Sequence, residues 1–190
     1  MENIIKKMNL DTYLSLEEIP DLDLYMDQVI QLFENKYADT KRNEDEKVLT
    51  KTMINNYAKG KLFFPIKNKK YSKGHVILIS MIYQMKTALS INDVKQTLDK
   101  LNNKITEDEF NLQNLYKSYL HLLDSNVNMF TENMEEQVEE IKNEVAMLEN
   151  KDEEYLQQFL LIAAFTNMSN FYRRAAEKIV DELEQDEKED

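Results

Sequence analysis

The sequence predicts a mainly α-helical protein in two parts, and three observations predict it. Turn formers are scarce: 190 residues contain two Gly and two Pro, too few for an all-β sandwich or for an α/β fold built on tight loops. Apolar residues recur at three- and four-residue spacing through most of the chain, the period of a helix that buries one face. Charge is divided by segment: residues 47–92 carry nine Lys and no carboxylate, a local net of +9, between flanks of −7 (residues 1–46) and −14 (residues 93–190). Together these patterns place a basic module with an N-terminal arm at residues 1–102 and an acidic helical region at residues 103–190.

Composition narrows the class further. A hydrophobic content of 42% supports one compact core or two small ones and excludes wholesale disorder. With no Cys in the chain, a disulfide framework, a Cys-based zinc site and a Cys nucleophile are excluded. The N-terminus lacks the apolar stretch of a secretory signal, and the longest apolar run, residues 159–165, is far too short to span a bilayer. A cytoplasmic chain without membrane contact is expected.

Residues 1–15 read as a short arm in which Ile4, Ile5, Met8 and Leu10 pack. Pro20-Asp21 marks a helix start, and Leu22, Leu24, Tyr25, Val29, Ile30, Phe33 and Tyr37 give a helical stripe ending near residues 37–38. Residues 39–46 are wholly polar and form a solvated loop. Thr50 is placed to cap a short helix over residues 50–59. Met53, Ile54 and Tyr57 turn inward there, which pushes Lys51, Asn55, Asn56 and Lys59 outward. Gly60 ends this helix, and the scarcity of Gly makes turns with positive φ scarce elsewhere. Residues 65–72 read as a tight hairpin with a cationic tip. Ser72 then caps a helix that is almost continuously apolar from residue 75 to residue 85, hence buried on most faces. Ser90-Ile91-Asn92-Asp93 opens another, with Val94, Leu98 and Leu101 on one side. A short polar helix followed by a basic hairpin is the build of a winged helix-turn-helix.

In the acidic half, Thr106-Glu107-Asp108-Glu109 reads as a capping box for a helix reaching residues 126–128. Met134, Val138, Ile141, Val145 and Leu148 then recur as a two-heptad seam. Asp152 caps a last helix, apolar nearly all round over residues 155–165 and narrower through Met168, Tyr172, Ile179 and Leu183. Residues after Glu184 are an acidic, frayed tail. Three antiparallel helices form a bundle alone, or a shared bundle in a homodimer.

The basic window carries the functional expectation. A chain of net charge −12 is repelled by a polyanion as a whole, and 46 residues without a carboxylate concentrate positive potential on one module. Double-stranded DNA is the partner this predicts, with Lys51, Thr52, Asn55, Asn56 and Lys59 toward a major groove. A side-chain amide bonds adenine N6 and N7 together, so the two Asn are the candidates for base reading. Lys67, Lys69 and Lys70 are assigned to phosphates, and Lys61, between helix and wing, belongs to the same set. An enzyme is not expected: His75 and His121 stand alone in apolar stretches, there is no His-x-x-x-His or Gly-rich phosphate loop, and the paired Glu residues at 135–136 and 139–140 lie on a solvent face. No catalytic residue, metal ligand or cofactor is therefore assigned, and an effector of the helical half is left open. The alternative is a helical adaptor whose basic module binds an acidic protein.

The matched residues also carry a resemblance. Met53-Ile54-Asn55-Asn56-Tyr57, Lys61-Leu62-Phe63-Phe64-Pro65, Asn68-Lys69-Lys70-Tyr71-Ser72 and residues 88–94 form an ungapped run that resembles the DNA-binding domain of the MerR-type transcription regulators. That resemblance implies a recognition helix, a short wing and two following helices, with Asn55, Lys59 and Lys69 at positions that touch DNA. The chain departs from the pattern where Asn55 replaces an Arg, Asn56 a Tyr and Lys61 a Gly, and its preceding helix lies further upstream. Glu18-Ile19-Pro20-Asp21, residues 25–29 and residues 49–57 are similar to an uncharacterised bacterial domain-of-unknown-function family, which implies no activity.

Overall fold

The computed structural model describes residues 2–107 and 110–189. Helices dominate it, with one two-stranded sheet near the N-terminal end and two long helices at the C-terminal end. A short helix α1 (Glu2–Lys7) leads into an irregular segment that buries Leu14, Leu16 and Ile19. Strand β1 (Leu24–Tyr25) precedes α2 (Met26–Tyr37), a single 3-10 turn (Ala38–Thr40) and α3 (Lys51–Lys59). Strand β2 (Lys70–Tyr71) follows, then α4 (Lys73–Met85), α5 (Ile91–Glu107), α6 (Leu112–Ala146) and α7 (Glu153–Glu189).

Helix α4 is the centre of the N-terminal core. Val76, Ile77, Leu78, Ile79 and Ile82 are fully buried, as its nearly unbroken apolar sequence requires. Around it gather Val29, Phe33 and Tyr37 of α2, Ile54 and Tyr57 of α3, Val94 and Leu98 of α5, and Leu112 and Tyr116 of α6. Each such aliphatic side chain contributes about 1.5–3 kcal/mol when fully buried. Polar groups are matched within this core. Tyr116 donates to the Leu14 carbonyl (2.6 Å), so Ser80, 3.0 Å from the same phenol oxygen, supplies the proton of the second bond. The N-terminal segment is thereby tied to α6.

The first supporting helix starts later than the sequence suggests. Residues 22–25 do not continue α2 backwards: Leu24 is buried in β1, which pairs antiparallel with β2 in the register Leu24–Tyr71 and Tyr25–Lys70, while Leu22 is 76% exposed. The Tyr25 N–H donates to Gln28 Oε1 (2.8 Å), which fixes the helix start at Met26. Positive φ is also commoner than two glycines imply. Asn9, Lys61, Asn68, Lys69 and Glu149 hold it, and neither Gly does.

The C-terminal half differs more. Thr106 does not open a helix; it lies in the last turn of α5, where its hydroxyl donates to the Asn102 and Asn103 carbonyls. Asp108 and Glu109 of the expected capping box lie outside the described residues. Asn111 caps α6 instead, its side chain accepting from Asn114 N–H (3.0 Å). With neither Gly nor Pro between residues 112 and 146, α6 runs unbroken for 35 residues, about 50 Å. The region therefore has two long helices in place of the expected three. Met134, Val138, Ile141 and Val145 are buried as the heptad spacing predicts, but Leu148, past the helix end, is exposed. Val138, Ile141 and Val145 cluster with Leu161 of α7, with Leu156, Leu160, Ala164 and Phe165 against them. Helix α7 also packs on α5 and continues to Glu189, through the segment expected to fray. It is not buried all round: Tyr155, Phe159 and Ile162 are each more than half exposed.

Candidate nucleic-acid interface

The candidate surface is built on α3. Thr50 caps it as predicted, its hydroxyl accepting from Met53 N–H (3.2 Å). Ile54 and Tyr57 are buried and Met53 and Ala58 partly so, leaving Lys51, Thr52, Asn55, Asn56 and Lys59 on one exposed face. Burial pushes the Tyr57 phenol up to about 12, so α3 meets the core with a neutral residue. The helix closes in a Schellman motif: Lys61 N–H bonds the Ala58 carbonyl (3.1 Å) and Leu62 N–H the Tyr57 carbonyl (3.0 Å). Lys61, at φ 57, takes the left-handed position, while Gly60 is helical at φ −74. Gly60 packs closely: a Cβ there would lie 2.7 Å from Cδ1 of the buried Leu62 side chain.

The hairpin expected at residues 65–72 is present in minimal form. Lys67 and Lys70 form an isolated bridge around Asn68 (φ 52) and Lys69 (φ 58), the two positive values of a type I′ turn. Tyr71 anchors it, buried edge-on to Phe63 at 6.2 Å between centroids, and β2 finds its strand partner in β1, upstream of α2. His75 joins wing to α4. Its Nδ1 accepts from Ser72 N–H (3.1 Å) and the Ser72 hydroxyl (2.7 Å), and its Nε2–H donates to the Phe64 carbonyl (3.1 Å). Burial holds this imidazole below its ordinary pKa, so His75 is a neutral brace.

The predicted cations do not share one environment. Lys59, Lys61, Lys67 and Lys69 are exposed and make no ion pair among the described residues. Lys51 pairs with Asp27 (2.7 Å), and both side chains are open to solvent. Lys70 is partly buried over the Tyr25 ring, 5.2 Å from its centroid. Lys61 lines a concavity with Lys100 and Asn103 of α5, off the α3 face. Two neighbours of this surface were not singled out from the sequence. Lys73, bonded to Asp21 (2.8 Å), borders the wing, and Tyr25, 56% exposed, offers an aromatic face beside Lys70. No spacing rule brings Tyr25 to Lys70 or Asp21 to Lys73, because each pair is separated by 45 residues or more of chain. His121 is an exposed α6 residue remote in sequence from this surface. Among the described residues no group of three or more His, Cys, Asp or Glu could hold a metal ion, and no described helix is long and apolar enough to cross a membrane.

The family model described as Domain of unknown function (DUF1836) matches residues 14–119. That span begins at buried Leu14 and ends one turn past Tyr116, and so coincides with the core around α4. No curated protein and no solved structure matches the chain.

Proposed function

The chain belongs to the DUF1836 family, and from that premise, which brings no activity with it, we propose that the module at residues 1–102 reads duplex DNA and that the protein is a transcriptional regulator. One observation carries the reading: the exposed face of α3 and the turn at residues 67–70 present Lys59, Lys67 and Lys69 without an ion-pair partner among the described residues, in a chain of net charge −12. Among those residues no ion pair joins the basic window to the acidic helices α6 and α7, which supports an external polyanion as its partner. Within this reading the module is a winged helix-turn-helix of the MerR-like kind. Helix α2 supports, α3 enters the major groove through Thr52, Asn55 and Asn56, residues 67–70 are the wing, and α6 and α7 form a dimerisation or effector region. The Asp21 and Asp27 carboxylates at its edge repel phosphates placed too close to β1.

A salt titration of binding to duplex DNA tests it. The logarithm of affinity is expected to fall linearly with the logarithm of salt, and Lys67→Ala with Lys69→Ala to flatten that slope by about 2. Affinity that ignores salt, or a double variant with unchanged slope, would leave the adaptor alternative standing.

A further inference from the structure

Between α6 and α7 lies a cavity of about 510 Å³, within the roughly 300–1,000 Å³ of small-molecule sites. Its walls are sulfur and aromatic: Met129, Phe130 and Met134 from α6, and Phe165, Met168 and Tyr172 from α7. Met134 is 3% exposed and closes the floor, while Met129 and Tyr172 stand at an open rim. Phe130 and Phe165 face each other at 6.4 Å between centroids. Asn126, Asn133, Gln137 and Ser169 complete the lining with amide and hydroxyl groups. No acidic or basic side chain lines it, although the same stretch of α6 carries Glu132, Glu135, Glu136, Glu139 and Glu140 on its exposed sides. Charge is thus absent from a concavity whose α6 wall is flanked by carboxylates.

We propose that this cavity binds a small neutral aromatic molecule carrying one or two hydrogen-bonding groups. Met and aromatic walls accept flat apolar surface through dispersion and sulfur–aromatic contact. The amides and the hydroxyl take its polar substituents. An anion finds no cationic side chain in the lining and meets the α6 carboxylates on approach, the nearest cations along α7 being Arg173 and Arg174 just beyond the rim.

The site has a route to the rest of the chain. Asn126 and Phe130 also line a second cavity, of about 400 Å³, whose other walls include Tyr13, Tyr37 and Tyr83. Tyr37 is 1% exposed, and its hydroxyl has no hydrogen-bond partner among the described residues. Phe130 is thus a wall common to the helical pair and to the C-terminal ends of α2 and α4. An occupant that displaces Phe130 changes packing at those ends. The coupling to DNA rests on the regulator reading, whereas the site does not.

Fluorescence titration of the full chain with N-phenyl-1-naphthylamine, a neutral dye that brightens in apolar surroundings, tests the site. Saturable one-site binding is expected, weakened at least tenfold in Ser169→Trp, whose indole fills the cavity, and unchanged in Ile162→Ser on the exposed face of α7. The sulfonated analogue, 8-anilinonaphthalene-1-sulfonate, is expected to bind at least tenfold more weakly. If circular dichroism shows Ser169→Trp to have lost helix, Asn133→Trp blocks the cavity from the opposite helix and is read in the same way. Non-saturable binding, or undiminished binding in the folded blocked variant, overturns the site. Equal loss in Ile162→Ser overturns it by assigning the dye to the exposed face or to an interface between copies. Equal affinity for the sulfonate overturns the neutral ligand class. Duplex binding is measured separately, so either reading can fail while the other stands.

Discussion

Lys61 holds a left-handed conformation (φ 57) that disfavours a residue with a Cβ by roughly 1–2 kcal/mol, next to a Gly that does not use its own freedom. Residue strain of this kind gathers where function requires a side chain. Lys61→Gly is therefore expected to raise stability by up to about 1 kcal/mol while lowering affinity for duplex DNA. A variant stabilised with unchanged affinity would make Lys61 a conformational accident. Gly60→Ala has the opposite sign. Its Cβ, 2.7 Å from Leu62 Cδ1, obliges the buried Leu62 side chain to move at a cost of about 1–3 kcal/mol, which exceeds the up to about 1 kcal/mol that Ala gains at a helical φ, and a net loss is expected in urea unfolding. His75 carries a pH dependence. Burial lowers its folded pKa from the ordinary 6.5, so above that value the ring is neutral in both states and full stability is present. As pH falls through 6.5 the unfolded ring takes a proton that the folded one resists. Stability is then lost, by at most about 1.4 kcal/mol per pH unit, until the folded ring also protonates. The urea midpoint should fall between pH 7 and pH 5.5, and fall less in His75→Gln.

At the scale of elements, what local chemistry decides was legible and what distant chain decides was not. Thr50 and the Ser90–Asp93 pair cap their helices as read, because a cap needs only residues three apart: Asp93 Oδ2 accepts from Ser90 N–H, and Asp93 N–H donates to Ser90 Oγ. The spacing of Ile54 and Tyr57 likewise predicts the face that α3 buries, and with it the exposure of every proposed groove residue. Thr106 misleads because a Thr hydroxyl serves a helix end as readily as a helix start. Leu22, Leu24 and Tyr25 fit a helical stripe, and only pairing with Tyr71 and Lys70 makes the last two a strand. The same distance hides the Lys51–Asp27 and Lys73–Asp21 pairs, which turn two cations of an apparently uniform basic window toward carboxylates. For α3 the expected outcome is a split between its residues. Neither Asn55 nor Asn56 makes a side-chain hydrogen bond to another described residue, so Asn55→Ala or Asn56→Ala should leave folding intact. A good bidentate base contact is worth about 1–3 kcal/mol of discrimination, and a competition assay between duplexes should lose that much. Full discrimination in both variants would remove direct reading by α3.

For the whole molecule, the decisive quantity is apolar surface left over. The seam of α6 is satisfied within the chain by α7, so an assembly of two copies has to use another face. Helix α7 supplies one: Tyr155, Phe159 and Ile162 are between 54% and 67% exposed, and their spacing of four and three residues keeps them on one side. Large apolar side chains grouped on one helix side, unlike singly scattered ones, mark an interaction surface. Two copies related by a two-fold axis would cover it and present α3 twice, the arrangement by which helix-turn-helix dimers read paired half-sites. Sedimentation equilibrium at tens of micromolar, a range suited to weak dimers, is expected to give a dimer. Tyr155→Glu with Ile162→Glu should yield a monomer with unchanged helical content, because those side chains make no core contact to lose. The same variant should keep its salt-dependent attraction to DNA, which belongs to each module, and lose affinity for a two-fold site far more than for a single half-site. A wild-type chain that remains monomeric throughout that range would sink the dimer and leave the exposed face of α7 to a different protein.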